Sequence, residues 1–307
     1  MLQNRYFYSM INVRVGGVPE HFNLAWHLAI ESGAFEKNNI NLQWSDVPGG
    51  TGAMCKSLRN GELDIAIALT EGMVKDITLG NPSKIMQFYV NSPLRWGIFV
   101  NAKSNITAIE EMAGLKYAIS RFGSGSHLMA YVNASNHHLD IKPEDFVLVQ
   151  DINGARKALA EGTAQLFMWE KYMTKPFVDN GEFRMIGECN TPWPCFVVAA
   201  NNNFIAAHAG TLKLILDIVN ESCLLLKKNA QAPELIVQRY DIKPDDAAKW
   251  FKELEYAYQS EMEEADLRLL LWRLRKFGII DAIPALNTII YENNLEPADS
   301  FFPDNGI

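Results

Sequence analysis

Short apolar runs alternate with amphipathic stretches along the first hundred residues. Segments 13–18, 40–44, 63–69 and 84–90 carry the β-branched and aromatic residues of strands. The order predicted over this region is strand, helix, strand, helix, strand, helix, strand. The loops after the first three strands are short: Pro19-Glu20-His21-Phe22, Pro48-Gly49-Gly50-Thr51-Gly52 and Thr70-Glu71-Gly72. Strands alternating with helices make a parallel α/β sheet, which binds ligands outside the carboxyl ends of its strands. These loops are therefore expected to form one wall of a small-molecule site.

A second α/β series follows. A strand over 117–120 meets the loop Arg121-Phe122-Gly123-Ser124-Gly125-Ser126-His127, and then a helix to about Leu139. Leu128, Tyr131, Val132, Ser135 and Leu139 share one stripe of that helix. Strands are expected at 146–149, 164–168, 183–186 and 193–200, with a helix over 153–161. The remainder reads as helical. Leu212, Ile215, Leu216, Val219, Cys223 and Leu226 keep one face, and Leu267, Leu270, Leu271 and Leu274 keep another beside exposed Arg268, Arg273, Arg275 and Lys276. Pro244-Asp245-Asp246 is a helix start, with proline and acids in the first turn. The tail over 296–307 reads as an irregular surface segment.

Composition removes several classes. The 307 residues are 48% hydrophobic and 21% charged, ordinary for a globular protein, and carry a net charge of −8. An acidic balance argues against nucleic acid as the main partner. No run approaches the roughly 18 to 20 apolar residues of a membrane span. Cys55, Cys189, Cys195 and Cys223 lie far apart, with no metal-ligand spacing, so no metal is expected, and Cys55, Cys189 and Cys223 read as packed thiols. There is neither a P-loop nor a dinucleotide fingerprint, so no cofactor is expected. The first ten residues lack the ordered parts of a secretory signal. The expectation is a cytoplasmic protein if this N-terminus is native, and a periplasmic or cell-surface one if a signal has been removed.

Candidate chemistry gathers at the strand ends. Glu20, His21 and Phe22 follow the first strand, with His21 either a ligand residue or a plain helix-start residue. Phe22, Ala25, Trp26, Ala29 and Ile30 make an apolar stripe that places Trp26 in the core. Gly50 and Thr51 open a helix whose free N–H groups suit an anion or a carbonyl oxygen, or else Thr51 is an N-cap. Thr70 and Glu71 close the third strand. Arg121, Ser124, Ser126 and His127 combine charge, hydroxyls and a helix start, which suits a carboxylate, sulfonate or phosphate; alternatively Ser126 caps the helix. Trp169 beside Glu170 fits a nitrogen heterocycle, the ring stacking and the acid accepting an N–H. Trp96 and Trp193 either complete an aromatic cage or pack where the two series join. His21, His127, Glu71 and Glu170 could act as acids or bases, but no catalytic signature is present and no catalytic residue is assigned.

Three phrases carry a family resemblance: Val15-Gly16-Gly17-Val18-Pro19-Glu20-His21-Phe22, Glu31-Ser32-Gly33-Ala34-Phe35-Glu36-Lys37-Asn38-Asn39-Ile40 and Leu58-Arg59-Asn60-Gly61-Glu62-Leu63-Asp64-Ile65-Ala66. In their order and spacing the chain resembles the type II periplasmic binding proteins, in the group that binds sulfonates, nitrate, taurine and thiamine-precursor pyrimidines. It departs at Asn39, where that group often has glycine. The resemblance covers about residues 1–205. It implies two α/β lobes joined by a hinge, with a helical C-terminal tail. Lobe one would be 1–95 with 197–307, and lobe two 96–196. The crossings would lie near Arg95-Trp96-Gly97 and Pro194-Cys195-Phe196, and the ligand would bind in the interlobe cleft, with the 169–170 position at its border.

The function implied is a solute-binding protein for a small anionic or heterocyclic metabolite of sulfonate, nitrate or pyrimidine-precursor type. Its partners would be that ligand and, if it is exported, an ABC transporter permease. Two alternatives stand beside it: an enzyme on the same scaffold in thiamine or other cofactor biosynthesis, and a ligand-gated cytoplasmic sensor. The fungal pyrimidine synthase of this fold carries lysine and histidine just after the third strand and a run of cysteines in the second lobe. Here the first position reads Thr70-Glu71-Gly72-Met73 and the second offers only Cys195, which counts against that activity.

Overall fold

A computed structural model describes residues 10–258, 262–291 and 295–296. The chain opens with β1 (Ile11–Gly17), α1 (Leu24–Glu31), β2 (Ile40–Asp46), α2 (Gly50–Arg59), β3 (Ile65–Leu69), α3 (Thr70–Thr78) and β4 (Ser83–Val90). It then runs through β5 (Arg95–Asn101), β6 (Tyr117–Ile119), α4 (Gly125–Asn136), β7 (Phe146–Leu148), α5 (Ile152–Glu161), β8 (Leu166–Glu170), α6 (Lys171–Asp179) and β9 (Phe183–Asn190). It finishes with β10 (Phe196–Asn201), α7 (Asn202–Lys228), α8 (Ala232–Arg239), α9 (Pro244–Glu253), α10 (Glu264–Lys276) and two short paired strands, β11 (Met262–Glu263) and β12 (Leu295–Glu296). The rest of the expected 296–307 tail lies outside the described residues.

The chain divides into two compact units. Among the described residues, the first holds 10–91, 196–258, 262–268, 284–291 and 295–296; the second is Ser92–Cys195 with Leu269–Ile283. The division puts Leu269–Ile283 in the second unit, whereas the sequence reading kept all of 197–307 with the first. α10 spans that boundary, and Leu267, Leu270, Leu271 and Leu274 are at most 1% exposed.

Each unit holds a five-stranded sheet. The first has the order β2-β1-β3-β10-β4, the second β7-β6-β8-β5-β9. In the first, β1, β2 and β3 are parallel and β10 is antiparallel to both β3 and β4. In the second, β6, β7 and β8 are parallel and β5 is antiparallel to β8 and β9. The two sheets thus repeat one plan. The antiparallel member next to the edge is, in each, the first strand after the chain changes unit.

Sequence explains which strands are central. Ile65, Ala66, Ile67 and Ala68 of β3 and Val197, Val198, Ala199 and Ala200 of β10 are fully buried, so both strands are continuous apolar runs covered on both faces. β5 is the same kind of strand: Ile98, Phe99 and Val100 have no exposure. Sequence marks only its start, as the expected crossing near Arg95–Gly97, since an unbroken apolar run shows no period from which to read its extent. The expected α7 face is buried at every position named, although the helix kinks at His208. Pro244 stands in the first turn of α9, with Asp245 and Asp246 following.

Candidate functional site

In the first unit, β1 ends at Gly17 and the chain turns through Glu20 into a single 3-10 turn, His21–Asn23, ahead of α1. Asn23 Nδ2 donates to the Val18 carbonyl at 2.8 Å and closes the turn. Gly17 makes this possible, because a Cβ there would lie 2.7 Å from both Asn23 Nδ2 and the Trp44 ring. Phe22 is 3% exposed and packs 4.8 Å from Phe196 and 5.0 Å from Trp250 between ring centroids. Its carbonyl accepts two phenolic hydrogen bonds, from Tyr89 at 2.7 Å and Tyr256 at 3.1 Å. Phe22 therefore spends its ring on the core.

His21 is buried edge-on against Trp250, centroids 4.1 Å apart. Burial pushes its imidazole down to about 3, so it is neutral near pH 7 and can offer hydrogen bonds but not charge. Glu20 is partly exposed, yet burial of its carboxyl pushes it up to about 7. Near neutral pH it can donate or accept.

The second and third loops of this unit are tied together. Gly50 has φ +67°, a conformation that favours glycine, and opens α2. Thr51 Oγ1 accepts from the Leu69 backbone N–H at 3.0 Å, so the hydroxyl binds α2 to the end of β3 and does not cap its own helix. Gly72 lets Thr51 sit this close, since a Cβ there would be 2.5 Å from Thr51 Cγ2. Thr70 and Glu71 are buried in the first turn of α3.

In the second unit, the loop after β6 is braced by its own serines. Ser126 Oγ accepts from the Ser120 N–H at 3.0 Å and lies 3.0 Å from Ser124 Oγ. Ser124, not Ser126, is the N-cap of α4, its hydroxyl accepting from the His127 N–H at 3.4 Å. His127 Nδ1 accepts from the Gly123 N–H at 2.9 Å, and its ring sits 4.5 Å from Phe146 and 5.0 Å from Tyr131. The Arg121 side chain is exposed and makes no ion pair or hydrogen bond among the described residues, while its carbonyl accepts from the Ser124 N–H at 3.2 Å.

Trp169 and Glu170 stand at the end of β8. The Trp169 ring stacks on Phe167 at 5.4 Å and packs on the cluster of Phe99, Ala155, Ala158, Leu159 and Phe183. Glu170 caps α6, its Oε2 accepting from the Met173 N–H at 2.6 Å. Trp96 lies across from Glu170 on β5, 3% exposed and edge-on to Trp169 at 6.1 Å. Trp193 is likewise 3% exposed, its carbonyl accepting from Thr191 Oγ1, which in turn accepts from the Leu94 N–H.

The same sheet end holds an ion cluster that sequence reading passed over. Glu188 Oε2 accepts from the Arg95 guanidinium at 2.6 Å, and Oε1 from Lys171 Nζ at 2.6 Å. Burial pushes the Glu188 carboxyl up, but Lys171 and Arg95 outweigh it and hold it below the usual range. These residues are 17 and 93 positions from Glu188 in sequence, so no local motif announces them. Trp250 and Tyr256 were missed for the same reason. Among the described residues no three His, Cys, Asp or Glu side chains gather as metal ligands would, and no helix is long and apolar enough to cross a membrane.

Residues 96–189 match the family model for Ca3427-like periplasmic binding proteins. The structure of the Candida albicans CA3427 gene product, described as defining a family with the generic periplasmic binding protein fold, is 26% identical. The match covers 94% of this chain and 98% of that one, with a TM-score of 0.85. The periplasmic aliphatic sulphonate binding protein SsuA of Escherichia coli is 14% identical over 96% of this chain and 97% of its own, TM-score 0.69. The alkanesulfonate-binding protein SsuA of Xanthomonas axonopodis pv. citri, bound to MOPS, is 13% identical over 91% and 96%, TM-score 0.73. No curated protein matches the chain in sequence. Strand order and these likenesses together give the chain the periplasmic-binding-protein type II fold, related to the Ca3427-like proteins.

Proposed function

We propose that the chain is a solute-binding protein for a small anionic or heterocyclic molecule. The observation that carries this reading is Arg121, an exposed guanidinium with no counter-ion among the described residues, on a loop fixed by the Ser120, Ser124 and Ser126 bonds. A guanidinium forks two N–H bonds to an oxyanion, and a loop already fixed spends little ordering entropy on binding. Sulfonates are the first class to test, because two of the structural relatives are named for binding them. Delivery to an ABC transporter permease is the partner role that accompanies this reading.

Mass spectrometry of small molecules released from the purified protein identifies the class. Titration calorimetry then compares the parent with Arg121→Ala and Arg121→Lys. Both variants are expected to weaken binding of an anionic ligand at least about tenfold, because lysine lacks the fork. Equal affinity in parent and variants would overturn the role of Arg121. A broad panel of sulfonates, carboxylates and pyrimidines that gives no melting shift would overturn the solute-binding reading itself.

A further inference from the structure

The later turns of α10 present a surface that neither strand-end region uses. Leu270, Leu271 and Leu274 are buried, but Leu269 is 38% and Trp272 50% exposed. Arg275 and Lys276 are exposed beside them. Spacings of three and four residues put Leu269, Trp272 and Lys276 on one helical stripe, with Arg275 alongside. Lys276 Nζ lies 5.0 Å from the Trp272 ring centroid, over its face. Arg268 does not add to the stripe's charge, because Glu264 pairs with it at 2.8 Å within the helix. The helix end is fixed: Phe277 stacks on Tyr131 with centroids 5.3 Å apart and planes at 11°.

What fits such a stripe follows from its size and charge. A stable protein interface covers about 800 Å² on each partner and is built around a buried apolar centre. Two exposed apolar side chains one turn apart are too few for that. They do match a lipid–water interface, where an indole lies at headgroup depth and flanking cations meet anionic headgroups. The chain carries net charge −8, so most of its surface is repelled by an anionic membrane. A local basic and aromatic stripe would then decide which face approaches. We infer that Leu269, Trp272, Arg275 and Lys276 dock the protein peripherally on an anionic membrane surface, with the indole and leucine among the headgroups and both cations against lipid phosphate or carboxylate. This inference stands apart from solute binding and requires no bound ligand.

The test is cosedimentation of the full chain with vesicles of phosphatidylcholine alone and with phosphatidylserine added, at low and physiological salt. Binding is expected only with phosphatidylserine, and it should fall as salt rises. The pair Arg275→Glu with Lys276→Glu should reduce the bound fraction at least about tenfold, since each basic residue near such a surface is worth roughly fivefold. Trp272→Ala should reduce it by a comparable factor while keeping the preference for anionic lipid. Lys157→Glu with Lys213→Glu, exposed cations on α5 and α7, should leave binding nearly unchanged and matches the pair's change in net charge. Melting curves establish that each variant is folded. No binding to phosphatidylserine vesicles at low salt overturns the inference, as does binding that survives both α10 changes. Capture of an acidic peptide through these residues, without vesicle binding, would overturn it in favour of a protein partner.

Discussion

The turn after β1 and the turn after β6 occupy the same place in their sheets, each following the strand second from one edge. They are held by opposite means. The first is held from far along the chain: Tyr89 and Tyr256 bond the Phe22 carbonyl across 67 and 234 residues, and Phe196 and Trp250 enclose the ring. The second is held within eight residues, by the hydroxyls of Ser124 and Ser126 and by His127 Nδ1. Packing buries His21 and part of Glu20 and moves their proton affinities. Local hydrogen bonding leaves Arg121 in solvent with its charge. One backbone arrangement therefore gives a tunable neutral surface in the first unit and a fixed cation in the second.

The largest test of this contrast is Trp250→Ala. It removes the ring that closes on both His21 and Phe22, and such a truncation costs about 3–5 kcal/mol. Chemical denaturation should show that loss, and it should fall on the unit containing β1. If the variant unfolds at the parent's midpoint, the first turn is not held by α9 and the contrast fails.

A smaller effect separates the turns by pH. The Glu20 carboxyl sits at about 7 in the folded chain against an ordinary 4.5. Between those values the folded chain keeps a proton that the unfolded chain has lost, so stability falls as pH rises across the window. His21 works in reverse. Its folded value of about 3 lies below the ordinary 6.5, so stability falls as pH drops from about 6.5 towards 3. The two slopes oppose each other between about pH 4.5 and 6.5. Glu20→Gln removes the first slope alone. Its stability relative to the parent should grow from pH 4.5 to pH 7.5 by roughly 2 kcal/mol, allowing for the partial exposure of Glu20. A difference that stays flat with pH would place the Glu20 carboxyl in water.

The same contrast explains what could be read before the structure. The strand and helix order of both units was legible, because β1 to β4 and β6 to β8 are separated by amphipathic helices and turn residues. The charge and hydroxyls of the Arg121 loop were legible because they are contiguous. Phe22 looked like a site residue because its position after β1 is visible in sequence, whereas Trp250, which packs against it, is 228 positions away (250 minus 22) and carries no motif. Trp169 beside Glu170 suggests a ligand platform in sequence, and strand alternation also places it on the face of Phe167, against the cluster that includes Ala155 and Leu159 of α5. Trp169→Ala should therefore cost stability, and a binding defect in that variant would not by itself mark a ligand contact. The Arg95, Lys171 and Glu188 cluster was invisible because three strands and a helix start must be assembled before its members meet.

The smallest test divides the serine loop itself. Ser126 Oγ is the acceptor for the buried Ser120 N–H, so Ser126→Ala leaves a backbone donor without its partner. That kind of loss costs about 1–2 kcal/mol. Ser124 does less by geometry: its capping contact to the His127 N–H is long, at 3.4 Å, and Ser124→Ala should cost at most about 1 kcal/mol. Hydrogen exchange gives a second readout, since the Ser120 amide should lose protection in Ser126→Ala and keep most of it in Ser124→Ala. The order of the two variants is the informative result. If Ser124→Ala proves the more damaging, the loop is held as a helix cap and not by the hydroxyl that reaches back to β6, and Arg121 is then mounted on α4 rather than on the sheet.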